Sequence, residues 1–527
     1  MPIDVLIVGA GPTGLMLANQ LARRGIRPQI IDRHSGPAQQ SRAMAVHART
    51  LEIYSKLGIA ARAVELGQQG TGANMWVGGR LKARIPLEEM GRNLSPFPYV
   101  LMLGQDENER IMGARLRDWG VDVEWNTELV ALEQHADHVT ATIRQPDGSS
   151  RTIDATYVAG CDGSRSGVRQ MSGIGFPGAA YEQAFFVADT VATGPMVPNE
   201  LNVYLWADGF HLYFPMSGEN RWRVIGILPK ELQAKTDPAF EDLLPALRQE
   251  ATAGLSFTSC LWFSTYRIHH RRTDKFRDRR CFLLGDAAHV HSPMGGQGMN
   301  TGLQDAYNLA WKLALVTAGH ADDSLLDTYE AERLPFADRL LSTTDRAFRF
   351  VVSDSWMGGV LRTRIFPNAA ALAMKPHFMR RFAFLTLSQI GVEYRASPLS
   401  QAAAGVAKGA PAAGERFPWL HLTFAGGSRS EDVFERLDDM KFNLLVIGQS
   451  APATERLGLG DMLATHVVPF EGENIGVLAR VSIAAPAYYL LRPDGHIGLA
   501  GRTVDEGALR RWFATCRMTL GDVGQTN

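Results

Sequence analysis

The sequence lacks any imbalance of charge. Its 54 basic and 55 acidic residues leave a net charge of −1, so bulk electrostatics draw it neither to nucleic acid nor to an anionic membrane. No apolar run approaches the ~20 residues of a membrane span. Cysteine is scarce: Cys161, Cys260, Cys281 and Cys516 are scattered, with neither metal-ligand spacing nor a disulfide framework, which fits a reducing cytosol and leaves no metal site to expect. The C-terminal part has no C-x-x-C, which excludes a dithiol redox role there. The opening MPIDVLIVGAG has no basic n-region and no small-residue cleavage site, so it reads as a strand and not a signal peptide. A cytoplasmic setting is expected, with neither nucleic acid nor membrane as a partner.

What is present is ordinary for a globular protein of several domains. The chain has 527 residues, 45% hydrophobic and 21% charged, enough for two or three cores. Its most informative stretch is residues 284–312, LGDAAHVHSPMGGQGMNTGLQDAYNLAWK. An apolar strand end breaks at Gly285-Asp286. Gly295, Gly296, Gly298 and Gly302 follow, and a patterned helix is expected over 303–318. Such a loop lets backbone approach a ligand closely and aims helix N–H groups at an anion or an electron-rich ring.

At the N-terminus the order is strand Ile3–Val8, then Gly9-x-Gly11-x-x-Gly14, a helix, a second strand over 28–31, and Asp32 at its end. This is the dinucleotide fingerprint in its required context. The glycines allow a tight turn at the pyrophosphate, and the acid meets ribose hydroxyls. Residues 41–58 carry Arg42 and Arg49 as natural anion partners, then a helix ending at Gly58. Gln105 opens another helix, running to about Gly120. Residues 121–126, 139–144 and 152–158 read as strands. Asp162-Gly163-Ser164-Arg165 supplies a second candidate anion-facing loop.

From 176 to 270 short alternating runs at 201–206, 211–215, 222–228 and 261–269 read as an antiparallel sheet, with turns at Asp208-Gly209 and Ser217-Gly218. Residues 398–414 are Ala/Gly/Pro-rich and read as a linker. Beyond it, strands are expected at 443–447, 477–481 and 488–491, with a hairpin turn at Pro493-Asp494-Gly495-His496, on a thioredoxin-like plan. The expected fold is α/β, a Rossmann-like domain with an inserted antiparallel-sheet domain and a C-terminal thioredoxin-like domain. Its divisions are 1–175 and 271–397 for the nucleotide-binding parts, 176–270 for the substrate sheet, 398–414 for the linker and 415–527 for the tail.

Three motifs in order and separation, Gly9-x-Gly11-x-x-Gly14, Asp162-Gly163 with Arg169, and Gly285-Asp286 through Pro293 and Gly295-Gly296-Gln297-Gly298-Met299-Asn300, resemble those of the class A FAD-dependent aromatic hydroxylases. The tail with Arg492-Pro493-Asp494-Gly495 resembles the phenol- and polyketide-hydroxylase branch. The resemblance implies that Gly9, Gly11, Gly14, Asp32 and Arg33 hold the ADP half of FAD. It places Arg42 and Gln105 near the pyrophosphate and ribityl groups. Gly285 and Asp286 go to the ribityl or pyrophosphate side, and the backbone from Pro293 through Gly295, Gly298, Met299 and Asn300 lies along the isoalloxazine. Asp162 would serve FAD positioning and the transient visit of NADPH or NADH, for which no second fingerprint exists.

The implied reaction is hydroxylation of a phenolic ring by NAD(P)H and O2 through a flavin C4a-hydroperoxide. The partners are these and a small aromatic molecule, and the assembly allows a homodimer. Candidates for activating the phenol are His47, His211, Tyr213 and Arg267, with Pro293 on the flavin side. Two positions depart from the pattern. Met44 stands where the simple-phenol branch has a carboxylate, which favours a larger or bicyclic substrate. Gly498-Leu499-Ala500 stands where relatives often have a tryptophan. Alternatives on the same scaffold are a Baeyer–Villiger or epoxidising enzyme, and, from another class, a flavin-loaded binding protein without turnover. A flavin-dependent halogenase is disfavoured, because Trp222-Arg223-Val224-Ile225 lacks that group's second tryptophan and proline.

Overall fold

Ile3–Val8 forms β1, and Val5–Val8 are buried, as expected of a central strand covered on both faces. Pro12–Ala22 follows as α1, Gln29–Ile31 as β2 and Ala48–Leu57 as α2, which stops at left-handed Gly58. The computed structural model describes residues 2–39, 43–206, 209–233, 235–250, 254–292, 294–352, 359 and 361–518. Arg42, Asp208 and Pro293 therefore lie outside the described residues.

The next elements are β3 (Ala73–Val77), β4 (Arg80–Ile85), α3 (Gln105–Asp118), β5 (Val123–Glu124), β6 (Glu128–Gln134), β7 (Val139–Arg144), β8 (Ser150–Gly160) and the short α4 (Gly167–Met171). After them come β9 (Gly178–Thr193), β10 (Leu201–Leu205), β11 (Phe210–Pro215), β12 (Arg221–Ile227), α5 (Phe240–Glu250) and β13 (Ser256–Arg272). The chain then returns through β14 (Arg277–Asp278), β15 (Cys281–Leu283) and β16 (His289–Val290) to the helices α6 (Gly298–Thr317), α7 (Asp327–Val352) and α8 (His377–Leu387).

The first sheet has the order β14-β15-β8-β1-β2-β5, with β7 and β6 added beyond β8. β1 runs parallel to both β8 and β2. The fingerprint turn and the Asp162-Gly163 loop thus leave adjacent parallel strands at the same end, where such sheets bind ligands. The second sheet has the order β16-β13-β9-β12-β11-β10-β3-β4. It gathers the expected strands of the 176–270 region and adds four others, β9, β16, β3 and β4. β9 was missed, and β3 and β4 come from residues 73–85. β16 sits immediately before the glycine-rich loop and pairs with β13, so the roof sheet is continuous with that loop.

The C-terminal part holds β17 (Gln401–Ala402), β18 (Phe442–Ile447), β19 (Leu463–Val468), α9 (Glu473–Arg480), β20 (Ala487–Leu491), β21 (Ile497–Gly501) and α10 (Glu506–Thr515). Its sheet order is β17-β21-β20-β18-β19. Two expectations fail here. The stretch expected as a strand at 477–481 lies mostly in α9, with Asn474 and Leu478 buried four apart and Glu473 and Arg480 in its end turns. A five-residue stretch does not distinguish helix from strand. The expected linker is no free tether: β17 pairs with β21, and Gly414 N–H donates to the Ile497 carbonyl at 2.7 Å.

Buried charge fastens this part to the rest. Glu332 of α7, with a fully buried side chain, accepts from Arg492 (2.6 and 3.0 Å), Lys312 of α6 (2.8 Å), Asn308 (2.7 Å) and Ser397 (2.6 Å). Burial alone would raise its pKa, but Arg492 and Lys312 hold it down to about 2. Burial pushes Lys312 down to about 8. Arg23 of α1 makes a two-pronged pair with Asp439 at 2.9 Å, and Arg49 of α2 donates to the Asp494 carbonyl at 2.6 Å.

Removing the Glu332 charge leaves two buried cations without their shared anion, a loss of roughly 3–5 kcal/mol. Glu332→Gln is therefore expected to lower the thermal unfolding midpoint by several degrees, and an unchanged midpoint would show that the network is not holding the parts together.

Candidate active site

The N-terminal turn is sealed on two sides and open on one. A Cβ on Gly9 would sit 2.4 Å from the Cys161 carbonyl oxygen, and one on Gly14 would sit 1.9 Å from the Gly9 oxygen. Gly11, between them, faces open space. It caps α1 with no side-chain hydrogen bond, and no acid occupies the first turn, so the helix offers free N–H groups and its positive end to an anion. Asp32 lies at the end of β2, where its carboxylate accepts the Ala10 N–H (2.7 Å) and the His34 N–H (2.8 Å). Arg33 beside it is exposed. Gln105 N–H donates to the Ala43 carbonyl at 3.0 Å, and its side chain donates to Glu109, which in turn accepts the Ala38 N–H. Gln105 thus ties both flanks of the 40–42 segment to α3.

The second and third motifs are bolted to each other. Asp162 Oδ2 accepts the N–H groups of Gly167 (2.7 Å) and Val168 (3.1 Å) at the start of α4, while its Oδ1 is buried without a hydrogen-bond partner. Burial raises its pKa against those bonds. Arg169 donates to the Ala287 carbonyl (2.9 Å) and the Ser164 carbonyl (2.8 Å). Asp286 is exposed at the site, and Gly285 is held by Asp305 of α6: the Gly285 N–H donates to Asp305 Oδ2 at 3.0 Å. The same carboxylate receives His289 Nε2 (2.8 Å) and Arg333 Nε (2.6 Å). Burial would raise the pKa of Asp305, but Arg333 and His289 hold it below the usual carboxylate range.

The glycine-rich loop follows. Gly295 and Gly296 have φ of +75° and +63°, a conformation that glycine adopts without strain. The helix begins at Gly298 rather than 303, so Met299 and Asn300 sit in its first turn. The fully buried Asn300 side chain clips the loop to the 45–50 segment. It donates to the Ala45 and Gly296 carbonyls and accepts from His47 N–H and the Thr50 hydroxyl, all between 2.8 and 2.9 Å. His47 completes the clip by donating from Nε2 to the Gly295 carbonyl at 2.8 Å.

Above this loop lies one face of the roof sheet. Along β11 and β12, Tyr213, Val224 and Trp222 are buried, whereas Leu212, Phe214 and Ile225 are half-buried. Trp262, Ser264 and Tyr266 of β13 are half-buried too and share their face by register. Phe214 packs against the cluster holding Met44 and Ala45, and Ala45 is the neighbour that a Cβ on Gly296 would meet at 2.6 Å. This largely apolar face thus meets the segment on which the loop rests. On the sheet's other face α5 packs, with Leu243 and Leu247 fully buried.

That division corrects several expected catalytic residues. His211 and Tyr213 point to the α5 face: Tyr213 packs in the α5 cluster, and the His211 ring meets Trp206 and Phe186 at 4.4 and 5.5 Å. Burial pushes His211 down to about 3. Arg267 is exposed and follows Tyr266, so it points to the opposite face. His47 is 1% exposed and burial pushes it down to about 4, so it is a neutral brace for the loop and not a base toward substrate. Sequence reasoning missed Asp305 and Arg333, and it missed Arg223 and Asp189 on the cleft face. The available signal was a charge set inside an apolar strand, in AFFVADTVA and RWRVIGI.

A dinucleotide cradle, a second glycine loop and a roofed apolar cleft define a nucleotide-dependent oxidoreductase. The FAD binding domain family matches residues 2–344. The 6-methylpretetramide 4-monooxygenase of Streptomyces rimosus is 36% identical, over 95% of this chain and 91% of its own. The rifampicin monooxygenase of Streptomyces venezuelae is 30% identical, over 97% and 98%. Among solved structures, the anhydrotetracycline hydroxylase OxyS of Streptomyces rimosus superposes with a TM-score of 0.78 at 28% identity, covering 99% of this chain and 100% of that one. The chain belongs to the FAD-dependent monooxygenases of the class A aromatic hydroxylase family. Its residues fit the cofactor: Gly11 opens on free space before uncapped helix N–H groups, and the buried Asp162 Oδ1 is an acceptor awaiting a donor.

Asp305→Asn removes the charge that Arg333 and His289 share and loosens the Gly285 turn, so the purified variant is expected to carry substoichiometric FAD, read from the ratio of flavin to protein absorbance. Full flavin occupancy would mean that Gly285 is held without this carboxylate.

Acid should destabilise the fold through its neutral histidines. Burial lowers His47, His291 and His466 to about 4 and His211 to about 3. In the unfolded chain these groups take up protons near pH 6.5. Their contribution is therefore complete above that pH and is lost as pH falls toward 4, by up to about 1.4 kcal/mol per histidine per pH unit. The unfolding midpoint should drop between pH 7 and 5, and His47→Gln should flatten the slope by about one proton. A midpoint independent of pH over that range would contradict the burial of these rings as neutral species.

Proposed function

We propose that this chain hydroxylates a phenolic ring of a flat, multi-ring molecule of the aromatic polyketide kind, using NADPH or NADH and O2. The observation that carries the reading is the half-buried apolar face of Leu212, Phe214, Ile225 and Trp262 set over the glycine-rich loop. Such a face suits a broad ring system stacked between sheet and flavin. Relatives matching almost the whole chain bear names that refer to multi-ring substrates, and the carboxylate of the simple-phenol branch is replaced here by Met44.

FAD, when bound, supplies the activated oxygen from NAD(P)H and O2. This chain's residues do the rest. Asp32 and the α1 N-terminus hold the nucleotide end, and Gln105 ties Ala43 and, through Glu109, Ala38 to α3. Asn300 and His47 lock the loop against the 45–50 segment. Met44, Phe214 and Phe384 keep the cleft apolar, which protects a reactive oxygen species from water. His47 is neutral and spent on the Gly295 carbonyl, so substrate activation falls to the roof.

In the proposed division of labour, residues 1–175 and 271–397 hold the cofactor, 176–270 with the borrowed β3 and β4 cover the substrate, and 398–414 leads into a bracing thioredoxin-like part at 415–527. The protein would act in the cytoplasm, as a monomer or a homodimer. A Baeyer–Villiger or epoxidising outcome is the second reading, since an apolar sheet face does not by itself select phenols over ketones or quinones.

The test is NADPH oxidation by the flavin-loaded protein against mono-, bi- and polycyclic phenols, with peroxide counted in parallel. A multi-ring phenol is expected to speed oxidation at least about tenfold, with little peroxide and a product heavier by one oxygen atom. Stoichiometric peroxide with every phenol would overturn the reading.

A further inference from the structure

The roof carries a charged pair, Arg223 with Asp189, outside the roles already assigned. Arg223 lies in the middle of β12, 2% exposed, between Trp222 and Val224. Its Nε and Nη2 donate to the two oxygens of Asp189 on the neighbouring β9, at 2.6 and 2.7 Å. This two-pronged grip fixes the guanidinium plane. The third nitrogen, Nη1, is buried and has no hydrogen-bond partner among the described residues. An unmet buried donor on a cation costs more than a neutral one, and an acceptor on a bound ligand would meet it.

Register places the pair on the cleft side. Arg223 stands opposite Phe214 on β11 and opposite Asp189 on β9, and Asp189 stands opposite Trp262 on β13. The guanidinium carbon is 5.4 Å from the Trp262 ring centre. The Tyr266 phenol lies close enough to feel the Arg223 charge, although burial dominates and pushes Tyr266 up to about 12. Arg223 is thus a fixed cation among half-buried aromatic side chains, on the face over the glycine-rich loop.

We propose that Arg223, oriented by Asp189, is the anchor for a phenolic or enolic oxygen of the substrate and holds that oxygen as its anion. The inference rests on the reading of the cleft as a phenol site and names the substrate class more narrowly: multi-ring phenols acidic enough to ionise beside one guanidinium. Asp189 is a positioning residue, which leaves Nη1 as the contact. The anchor takes the place of the carboxylate absent at Met44, since a cation favours the ionised phenol without removing the proton itself.

The test compares 1,8-dihydroxyanthraquinone with its dimethyl ether, which has the same rings and no ionisable hydroxyl. The variant is Arg223→Gln with Asp189→Asn, which replaces the pair by neutral amides and leaves neither charge alone. Flavin-loaded wild-type protein should prefer the dihydroxy compound by about tenfold or more in Kd, with the bound band shifted toward the red phenolate position. In the double variant the preference should fall to near one and the shift should vanish, with FAD retained. Preference and shift that survive in the double variant would overturn the proposal, as would a wild-type protein that binds both compounds alike. A double variant that no longer keeps its flavin would also overturn it, because the pair would then serve the cofactor. A wild type that shows the Arg223-dependent preference but inserts no oxygen would sink the hydroxylase reading and leave the anchor standing.

Discussion

The structure depends on the carboxylate of Asp305. It is buried in α6, and it receives the Gly285 N–H, His289 and Arg333 at once. A buried anion is tolerable only when its lone pairs are met, and these three donors meet them. The consequence is mechanical: the turn after β15, the strand β16 that feeds the glycine-rich loop, and the helix α7 that carries Arg333 are all referred to one point. From Arg333 the chain of contacts continues to the Tyr394 hydroxyl at 3.0 Å, and the Tyr394 ring lies 4.4 Å from His496. Asp494, Arg492, Glu332 and Lys312 complete it. The C-terminal part is therefore electrostatically continuous with the cofactor cradle. This part has no C-x-x-C, and the buried ion pairs give its attachment direction as well as energy, because misaligned pairs would strand charges in the interior.

Next to this anchored frame, the floor of the cleft is held by neutral groups. Asn300 and His47 make only uncharged hydrogen bonds, and the glycines between them carry no side chains. Burial removes the proton from His47 near neutral pH. A charged imidazole at this loop would attract water, whereas a neutral donor to the Gly295 carbonyl fixes the loop without that effect. Structural charge thus gathers around Asp305 and Glu332, and the sheet face turned toward the loop carries the buried Arg223 guanidinium.

How much of this was legible in the sequence follows from the range of each interaction. The fingerprint turn, Asp32, the Gly58 stop and the central loop are set by neighbours a few residues apart, and they stand where local pattern put them. The roof strands were mostly legible from alternation, but which face looks at the loop was not. A side chain's face is fixed by pairing and by what packs on the other side, and α5 lies well downstream of His211 and Tyr213. Those polar aromatic residues drew attention, yet they belong to the packed side. Arg223 and Asp189 are 34 residues apart, and neither strand alone says that they meet. Residues 477–481 misled for a simpler reason: the run is too short for its period to show.

The cation and the missing carboxylate at position 44 make one argument. A phenol can be prepared for attack on an electrophilic oxygen in two ways, by a base that takes its proton or by a charge that makes the proton easier to lose. The first needs a carboxylate or imidazole with freedom to change charge, and the described side of this cleft next to Met44 and His47 has neither. The second needs a cation that never changes charge and a substrate whose own acidity does part of the work. A shift of two or three pKa units, about 3–4 kcal/mol, is within reach of a cation at contact in a dry site. That suffices for phenols whose charge spreads over several fused rings and carbonyls, and it falls short for an isolated phenol. On the proposed reading the apolar face and the cation select the same molecules, because broad ring systems are the phenols that one guanidinium can ionise.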